Sequence, residues 1–362
     1  MIRKSSKYFK IIGMMIMLLL LTGIILILVT RGQIVSMAAS GLDRSIFQSK
    51  VAAADRNNGS NAINNEAAVG GSILLAAGDI ARCQPAGGAA THAEEIWRNL
   101  DHSLGLPVAK LKANPGALQT ANLVEQYPGA PVLALGDLAY PDGAPADFTH
   151  CYERIWGDFK QRTYPAPGNH EYHSLNAYGY YDYWGSRAGP ERRGYYARRQ
   201  NDWLILSLNS EVAADTDSLQ ARWLEDQLAK SDAACVLAFF HRPAFSTKDR
   251  EGNADARRLF DILYRHGATL VLNGHNHFYE RTRPLDAAGR VDPEHGIRTF
   301  VVGTGGTDPD DSRPPAAFSK RLIGGVHGLL KLELSPEEYQ WQFLSAKTHE
   351  VLDSGAGSCN SR

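Results

Sequence analysis

Seven side chains that can bind metal ions are spread over five short segments of the 362-residue sequence. They are two carboxylates, one phenol, one amide and three imidazoles: Asp79, Asp137, Tyr140, Asn169, His241, His275 and His277. Oxygen and nitrogen ligands without a thiolate suit iron, manganese and zinc. With one carboxylate shared they make two four-ligand sets, which is the arrangement of two-metal hydrolases. We therefore predict a binuclear metal site.

Each segment taken alone has a simpler interpretation. Gly-Asp after a strand, as at Asp79 and Asp137, is most often a turn with a capping aspartate. A histidine at the end of an apolar strand, such as His241, is usually a core residue. His275 and His277 are more specific, because alternate residues of an extended segment point the same way. Chance is a poor explanation for seven such side chains at the ends of strands, so we expect them to share one pocket.

The elements that must position these side chains are short apolar strands separated by helical patterns, which predicts a layered α/β fold. The predicted strands cover residues 73–77, 132–135, 203–208, 236–240, 269–272 and 299–302. Open α/β sheets bind ligands at the carboxyl ends of their strands, and the polar segments follow these ends. Helices are predicted over 219–228, with Asp217 and Gln220 as a capping pair, and over 259–263. Alternating residues near the C-terminus predict antiparallel strands.

The composition and the N-terminal sequence indicate which partners and which cellular compartment to expect. With 38 Lys and Arg against 39 Asp and Glu, no nucleic-acid partner is indicated. Residues 11–30 are uncharged and long enough to span a bilayer as a helix, and most nearby basic residues precede them. We therefore predict a membrane anchor or a cleaved signal segment over 1–31, a flexible polar linker over 32–71 and an extracytoplasmic catalytic domain over 72–362. If the first segment is cleaved, the protein is secreted.

The order of the motifs points to a family. They are Gly78-Asp79, Gly136-Asp137-x-x-Tyr140, Gly168-Asn169-His170-Glu171, His241 and Gly274-His275-x-His277. This order resembles the calcineurin-like metallophosphoesterases, and the tyrosine is typical of purple acid phosphatases. The resemblance implies a sandwich of two mixed β-sheets flanked by helices, in α-β-β-α layers.

The resemblance also implies which residues bind which ion. A ferric ion would be bound by Asp79, Tyr140 and His277. A divalent ion, zinc, manganese or iron, would be bound by Asn169, His241 and His275, with Asp137 bridging the two ions. The implied reaction is hydrolysis of phosphate monoesters, small-molecule substrates, by a metal-bound hydroxide.

Three further residues receive roles in the site. Following the family, His170 would contact the phosphate or protonate the leaving group. Glu171 would orient His170 without binding a metal itself, or it is a surface salt-bridge residue. Arg242 would bind the substrate phosphate, or it is a surface charge.

Two more features remain open. If the catalytic domain lies outside the cytoplasm, its four cysteines are in an oxidising compartment. We predict the pairs Cys83–Cys151 and Cys235–Cys359. Residues 172–200 carry eight aromatic residues and five arginines. They form either a wall on which a substrate ring stacks or a packed crossover over the core.

Alternative functions share most of these features. A phosphodiesterase or nucleotidase would use the same ions and differ only in the shape of its pocket. A catalytically silent, membrane-tethered binding protein would lack some of the metal ligands, whereas the sequence contains all seven. The physiological substrate, the divalent ion and the oligomeric state stay open at the level of sequence.

Overall fold

A computed structural model describes residues 72–85, 111–249, 252–311 and 313–361. The predicted anchor or signal segment, 1–31, and the predicted linker, 32–71, lie outside these residues. Within the described ranges, no helix is both long enough and apolar enough to cross a membrane.

The described residues form sixteen strands, four α-helices longer than five residues, and several short helical turns. In chain order the strands are β1 (Ser72–Ala77), β2 (Ala81–Pro85), β3 (Leu111–Ala113), β4 (Val132–Leu135), β5 (Ala139–Tyr140), β6 (Thr163–Ala166), β7 (Tyr196–Gln200), β8 (Trp203–Ser207), β9 (Cys235–Phe239), β10 (Leu270–Asn273), β11 (Tyr279–Thr282), β12 (Arg298–Val302), β13 (Ser319–Ile323), β14 (Gly328–Leu334), β15 (Glu338–Ser345) and β16 (Val351–Ser358). The helices are α1 (Pro115–Glu125), α2 (Tyr178–Trp184), α3 (Leu219–Lys230) and α4 (Ala254–Arg265).

The fold contains two large β-sheets, each with both parallel and antiparallel strands. The first has the strand order β16-β15-β14-β1-β4-β6, with β1, β4 and β6 parallel and the C-terminal strands antiparallel. The second has the order β13-β11-β12-β10-β9-β8-β7, and β8, β9, β10 and β12 are parallel. A small third sheet joins β3, β2 and β5. Five of the parallel strands, β1, β4, β6, β9 and β10, precede six of the seven predicted metal ligands.

Alternation along β8 shows how the layers pack. Trp203 and Ile205 lie in the core shared with the first sheet, whereas Leu204 and Leu206 pack on the other face in a cluster with residues of α3 and α4. Successive side chains of a strand point to opposite faces, so this sheet is covered on both sides. The predicted sandwich of two mixed sheets flanked by helices is confirmed.

The six strands predicted before the C-terminal region agree with β1, β4, β8, β9, β10 and β12 to within one residue at each end. Helix α4 begins at Ala254, five residues before the predicted helix over 259–263. The short strands β2, β3, β5, β7, β11 and β13 were not predicted. The N-cap of α3 is Ser218, whose hydroxyl accepts from the Ala221 N–H at 3.1 Å, so the predicted capping pair is wrong. The Gln220 side chain instead bonds the backbone of Asn209 through both of its polar atoms. Strand β6, which leads to Asn169, was not predicted, because it is short and contains a proline.

Residues 172–200 serve mainly as packing. Tyr180, Tyr181 and Trp184 of α2 are buried in the core between the sheets, and Tyr196 is buried at the start of β7. Of the two interpretations of this segment, the packed crossover describes these rings.

Two disulfide bonds join segments that are far apart in the sequence. Cys83 of β2 is bonded to Cys151, with 5.7 Å between the Cα atoms, and Cys235 of β9 to Cys359, with 5.4 Å. These are the pairs expected from the sequence. The first connects strand β2, which follows Asp79, with the helical turns after Tyr140, and so restrains two segments that border the predicted site.

A buried ion pair ties the second sheet to the first. Asp353 of β16 accepts hydrogen bonds from the Tyr279 hydroxyl at 2.7 Å and from Arg281 Nε and Nη2 at 2.7 and 3.0 Å, both on β11. The indole N–H of Trp341 donates to the same carboxylate at 3.3 Å. The charged partners are only 10% and 9% exposed. Loss of either partner would leave the other charge poorly compensated.

We predict that Asp353→Ala lowers the free energy of unfolding by about 3 kcal/mol, because it leaves the Arg281 guanidinium unpaired at a buried position. Urea titration of the full chain measures this as a lower midpoint with an unchanged slope. Asp232→Ala is the matched control, since it removes the exposed partner of Arg199 and should leave the midpoint where it is. Equal midpoints for wild type and Asp353→Ala would contradict the assigned role.

Candidate metal centre

The carboxyl ends of the parallel strands bring the predicted ligands together. Asp79 follows β1, Asp137 follows β4 and Asn169 follows β6, three neighbouring strands of the first sheet. His241 follows β9, and the pair His275 and His277 follows β10, in the second sheet. Tyr140 ends the short strand β5. The site is therefore built where the corresponding edges of the two sheets meet.

The first group of ligand atoms contains two oxygens and a nitrogen. The Tyr140 hydroxyl donates to Asp79 Oδ1 at 3.0 Å and lies 3.4 Å from His277 Nε2. His277 Nε2 is in turn 3.3 Å from Asp79 Oδ1. These are the residues that the family resemblance assigns to the ferric ion.

The second group contains an amide oxygen and two imidazole nitrogens. His241 Nε2 lies 3.2 Å from Asn169 Oδ1 and 3.2 Å from His275 Nδ1. These are the residues that the resemblance assigns to the divalent ion.

Asp137 lies between the two groups. Its Oδ2 is 3.3 Å from the Tyr140 hydroxyl and 3.0 Å from His241 Nε2, so one carboxylate oxygen touches both groups. Ligand atoms of Asp137, His241 and His275 all lie within 4.8 Å of one another. The arrangement matches the expectation of two ligand sets that share one carboxylate.

The backbone is bent sharply at the site. Asp79, Asp137 and His275 adopt left-handed conformations with φ of 61°, 51° and 70°. Residues other than glycine rarely adopt this conformation, and it costs about 1–3 kcal/mol where it is imposed. The glycines of the motifs permit close approach: a Cβ on Gly274 would stand 2.6 Å from Asp79 Oδ2. The turns thus aim three ligands into the pocket at a cost in stability.

Backbone N–H groups of one motif stabilise the carboxylate of another. The His275 N–H donates to Asp79 Oδ2 at 2.8 Å, and the His170 N–H donates to Asp137 Oδ1 at 2.8 Å. Each aspartate therefore keeps one oxygen fixed by the main chain and the other directed at neighbouring ligands. This fixes the carboxylates in place before any ion binds.

Glu171 is fully buried and binds only backbone in the contacts that the structure records. Its carboxylate accepts from the N–H groups of Asp137, Leu138, Ala139 and Gly168, at 2.8 to 3.2 Å. It therefore does not orient the His170 imidazole, as the sequence suggested, and it is not a surface residue. Burial and the charge of Asp137 raise the pKa of Glu171 to about 8, although the hydrogen bonds from Gly168 and Leu138 and the charge of His241 lower it. Glu171 joins the loops that carry Asp137 and Asn169.

His170 stands at the rim of the pocket. Its Nδ1 contacts the carbonyl oxygen of Pro141, and its Nε2 lies 3.9 Å from Asp137 Oδ2. The imidazole packs against the Tyr140 ring with 4.2 Å between the ring centroids, and its side chain is 26% exposed. A histidine in this position can exchange protons with solvent and still reach the ligand cluster.

The hydrogen-bond partners of the imidazoles show that the residues fit metal ions. His241 Nδ1 faces the Leu135 carbonyl oxygen at 3.0 Å, and His277 Nδ1 faces the Asp308 carbonyl oxygen at 2.9 Å. A nitrogen that faces a carbonyl carries a hydrogen, so Nε2 is the atom that each of these imidazoles offers to a metal ion, in place of a proton. His275 differs, because its Nδ1 faces the pocket and its Nε2 lies 3.1 Å from Arg242 Nη1.

Electrostatics in the pocket are dominated by burial and by Asp137. Burial alone would lower the pKa of His241, but the charge of Asp137 and the hydrogen bond between them raise it to about 10. Burial, followed by the charges of Asp79 and Asp137, raises the pKa of the Tyr140 phenol well above its ordinary value. The phenol therefore needs a nearby cation to ionise, which is what a metal ligand of this type requires.

Arg242 lies at the edge of the site, and its partner was missed by the sequence reasoning. Arg242 Nε lies 3.0 Å from both carboxylate oxygens of Glu211. Glu211 belongs to the segment Asn209-Ser210-Glu211 after β8. Polar residues after an apolar strand were the signal used for the other five segments, and the same signal is present here.

Comparisons with known proteins agree with this geometry. The sequence model of the calcineurin-like phosphoesterase family matches residues 102–279, a span that contains every predicted ligand except Asp79. Over that span the chain is similar to the calcineurin-like phosphoesterases, and its relatives include purple acid phosphatases. The lupin (Lupinus luteus) purple acid phosphatase PPD1 has a similar fold, with a TM-score of 0.63 and 16% identity over 80% of this chain and 54% of that chain.

The relatives found by sequence match this chain over only part of their own length. Purple acid phosphatase 15 of Arabidopsis thaliana is 24% identical over 62% of this chain and 53% of its own length. An uncharacterized protein of Mycobacterium tuberculosis is 28% identical over 48% of this chain and 41% of its own length. The chain thus spans about half the length, or less, of these relatives.

We predict that Glu171→Gln destabilises the fold by about 3 kcal/mol, because an amide N–H₂ would face backbone donors that now lack an acceptor. The midpoint of a urea titration, followed by tryptophan fluorescence, reports the change. Glu225→Gln, which alters an exposed partner of Arg265, is the matched control. A variant as stable as wild type would show that the four N–H groups do not depend on this carboxylate.

Proposed function

We propose that the protein hydrolyses phosphate monoesters at a binuclear metal centre. The observation that carries the proposal is the position of Asp137, one oxygen of which touches both groups of ligand atoms. A carboxylate between two ligand sets suits a pair of cations, because a single cation would leave half of the buried ligands unused. The motif order and the comparisons supply the reaction class.

The two ligand groups suit ions of different hardness. Asp79 and Tyr140 offer a carboxylate and a phenol, which favour a ferric ion, with His277 as the third ligand. Asn169, His241 and His275 offer neutral ligands, which favour zinc, manganese or ferrous iron. When bound, such ions would activate water and polarise the phosphoryl oxygens.

The protein's own residues supply proton transfer to the leaving group. His170 Nδ1 is fixed by the Pro141 carbonyl, so in the imidazolium form the Nε2–H faces the pocket. From there it can donate a proton to the oxygen of the departing alcohol. Its partial exposure allows solvent to restore the proton.

The alternatives differ from this proposal in specific ways. A phosphodiesterase or nucleotidase would use the same residues and need room for a second substituent on phosphorus. A catalytically silent binding protein gives no reason for seven side chains that can bind metal ions to be gathered in one pocket. The monoester assignment is preferred because Arg242, a paired but accessible cation, stands beside His275.

We also propose that the catalytic domain lies outside the cytoplasm. It is anchored to the membrane by residues 1–31, or it is secreted if they are cleaved. The two disulfide bonds support an oxidising compartment. The charge distribution around residues 11–30 supports the orientation.

We predict that the full chain, purified in detergent, binds two metal ions and that Asp137→Asn lowers kcat/KM for p-nitrophenyl phosphate by about a thousand-fold. The physical reason is that the shared carboxylate serves both ligand sets. Metal analysis of both proteins accompanies the kinetics. Asp226→Asn, a change on the surface of α3, is the control. Unimpaired turnover by Asp137→Asn would end the assignment of the site.

Iron bound at Tyr140 should be visible in the absorption spectrum. A ferric ion beside the Tyr140 phenolate gives a charge-transfer absorption band in the visible region, and Tyr140→Phe should abolish it while the chain stays folded. The spectrum of the full chain, recorded with its iron content, checks this. A fully loaded, colourless wild-type protein would rule out a ferric ion at Tyr140 and leave a two-metal hydrolase of other composition.

A further inference from the structure

An ion pair between Arg242 and Glu211 stands at the edge of the candidate metal centre. Arg242 follows His241 directly, and its Nε lies 3.0 Å from each oxygen of the Glu211 carboxylate. Its Nη1 lies 3.1 Å from His275 Nε2. Glu211 therefore fixes one edge of the guanidinium, and the Nη side is turned toward the ligand cluster.

Glu211 is itself fixed by the chain around it. Its side chain is 9% exposed, and its Oε1 accepts from the Ser210 hydroxyl at 2.9 Å. The same hydroxyl accepts from the Arg242 N–H at 3.0 Å, and Asn209 Oδ1 accepts from the Glu211 N–H at 3.0 Å. Gln220 of α3 holds the backbone of Asn209. The guanidinium is thus oriented in advance, which reduces the entropy lost when it binds an anion.

A cleft of about 510 Å³ opens beside this pair and is lined in part by Arg242, Lys248, Asp249 and His275. Lys248 Nζ is 2.8 Å from Asp310, so its charge is compensated. Asp249 adds a negative charge 3.9 Å from His275 Nε2. This charge distribution disfavours a polyanion in the cleft and favours one anionic oxygen next to Arg242.

Metal binding would free the guanidinium for that oxygen. A metal ion on His275 Nδ1 requires the hydrogen of the neutral imidazole to sit on Nε2. Nε2 can then no longer accept a hydrogen bond from Arg242 Nη1, and the Asp249 carboxylate 3.9 Å away favours a hydrogen on Nε2. Arg242 Nη1 would then lose the acceptor that the structure records for it and could donate to an anionic oxygen instead.

We propose that Arg242, positioned by Glu211, binds a non-bridging phosphoryl oxygen of the substrate and thereby selects monoesters over diesters. This inference rests on the proposed function. A monoester dianion has three non-bridging oxygens, whereas a diester replaces one of them with an uncharged ester oxygen and its substituent. Arginine donors bind a charged phosphoryl oxygen strongly, and a diester substituent in the same place would leave the guanidinium unpaired.

The test compares two substrates with the same leaving group, p-nitrophenyl phosphate and methyl p-nitrophenyl phosphate, on the metal-loaded full chain. For Arg242→Ala we expect kcat/KM for the monoester to fall by about 10- to 100-fold and that for the diester by less than about 3-fold. Arg242→Lys should lose most of the same preference, because an ammonium cannot bind Glu211 and the substrate with one planar group.

Glu211→Gln tests the positioning role. It should raise KM for the monoester by about 3- to 10-fold with little change in kcat, and it should have no further effect in a chain that already carries Arg242→Ala. Arg199→Ala, which breaks an exposed pair with Asp232, is the matched control and should leave both substrates unaffected. An additive effect of the two changes would overturn the role of Glu211.

A binding measurement that does not depend on turnover completes the test. Isothermal titration calorimetry of inorganic phosphate into the metal-loaded full chain should show affinity weakened by about 10-fold or more in Arg242→Ala and unchanged in Arg199→Ala. An unchanged monoester-to-diester ratio and an unchanged phosphate affinity in Arg242→Ala would overturn the inference. Failure of the wild type to hydrolyse either ester would instead refute the proposed function.

Discussion

The buried Asp137 carboxylate is the constraint on which the rest of the site depends. A charged oxygen without water around it must be compensated locally, because the energetic penalty for an unpaired buried charge is large. The backbone N–H of His170 and the imidazole of His241 provide that compensation from two different sheets. The sheets must therefore meet at this edge, and the position of Asp137 fixes how they meet.

The motifs stabilise one another through main-chain hydrogen bonds. The His170 N–H holds Asp137, the His275 N–H holds Asp79, and Glu171 gathers the N–H groups of two loops. Because the donors are backbone atoms, their positions are set by the path of the chain rather than by flexible side chains. The left-handed turns at the ligands are held in place by this network, which offsets their intrinsic cost.

The pocket has two chemically different borders. His170 and the Tyr140 ring form one, where proton transfer to a leaving group is possible. Arg242 and Glu211 form another, next to His275, where a fixed guanidinium faces the ligand cluster. In the proposed reaction, these two borders would contact different parts of the substrate, the departing alcohol and the remaining phosphoryl oxygens.

The sequence determined the inventory of the site and most of the strands. Apolar runs with polar ends are a local signal, so β4 and the ligands after it were readable from composition and spacing alone. What the sequence could not give was the partner of each polar group. Glu171 was expected to orient an imidazole and instead accepts hydrogen bonds from four N–H groups. Glu211 was not predicted, because its contact with Arg242 depends on β8 lying beside β9. Residue type and periodicity specify what a segment can offer, whereas hydrogen-bond partners are set by distances between segments far apart in the chain, and only the packing of two sheets decides those distances.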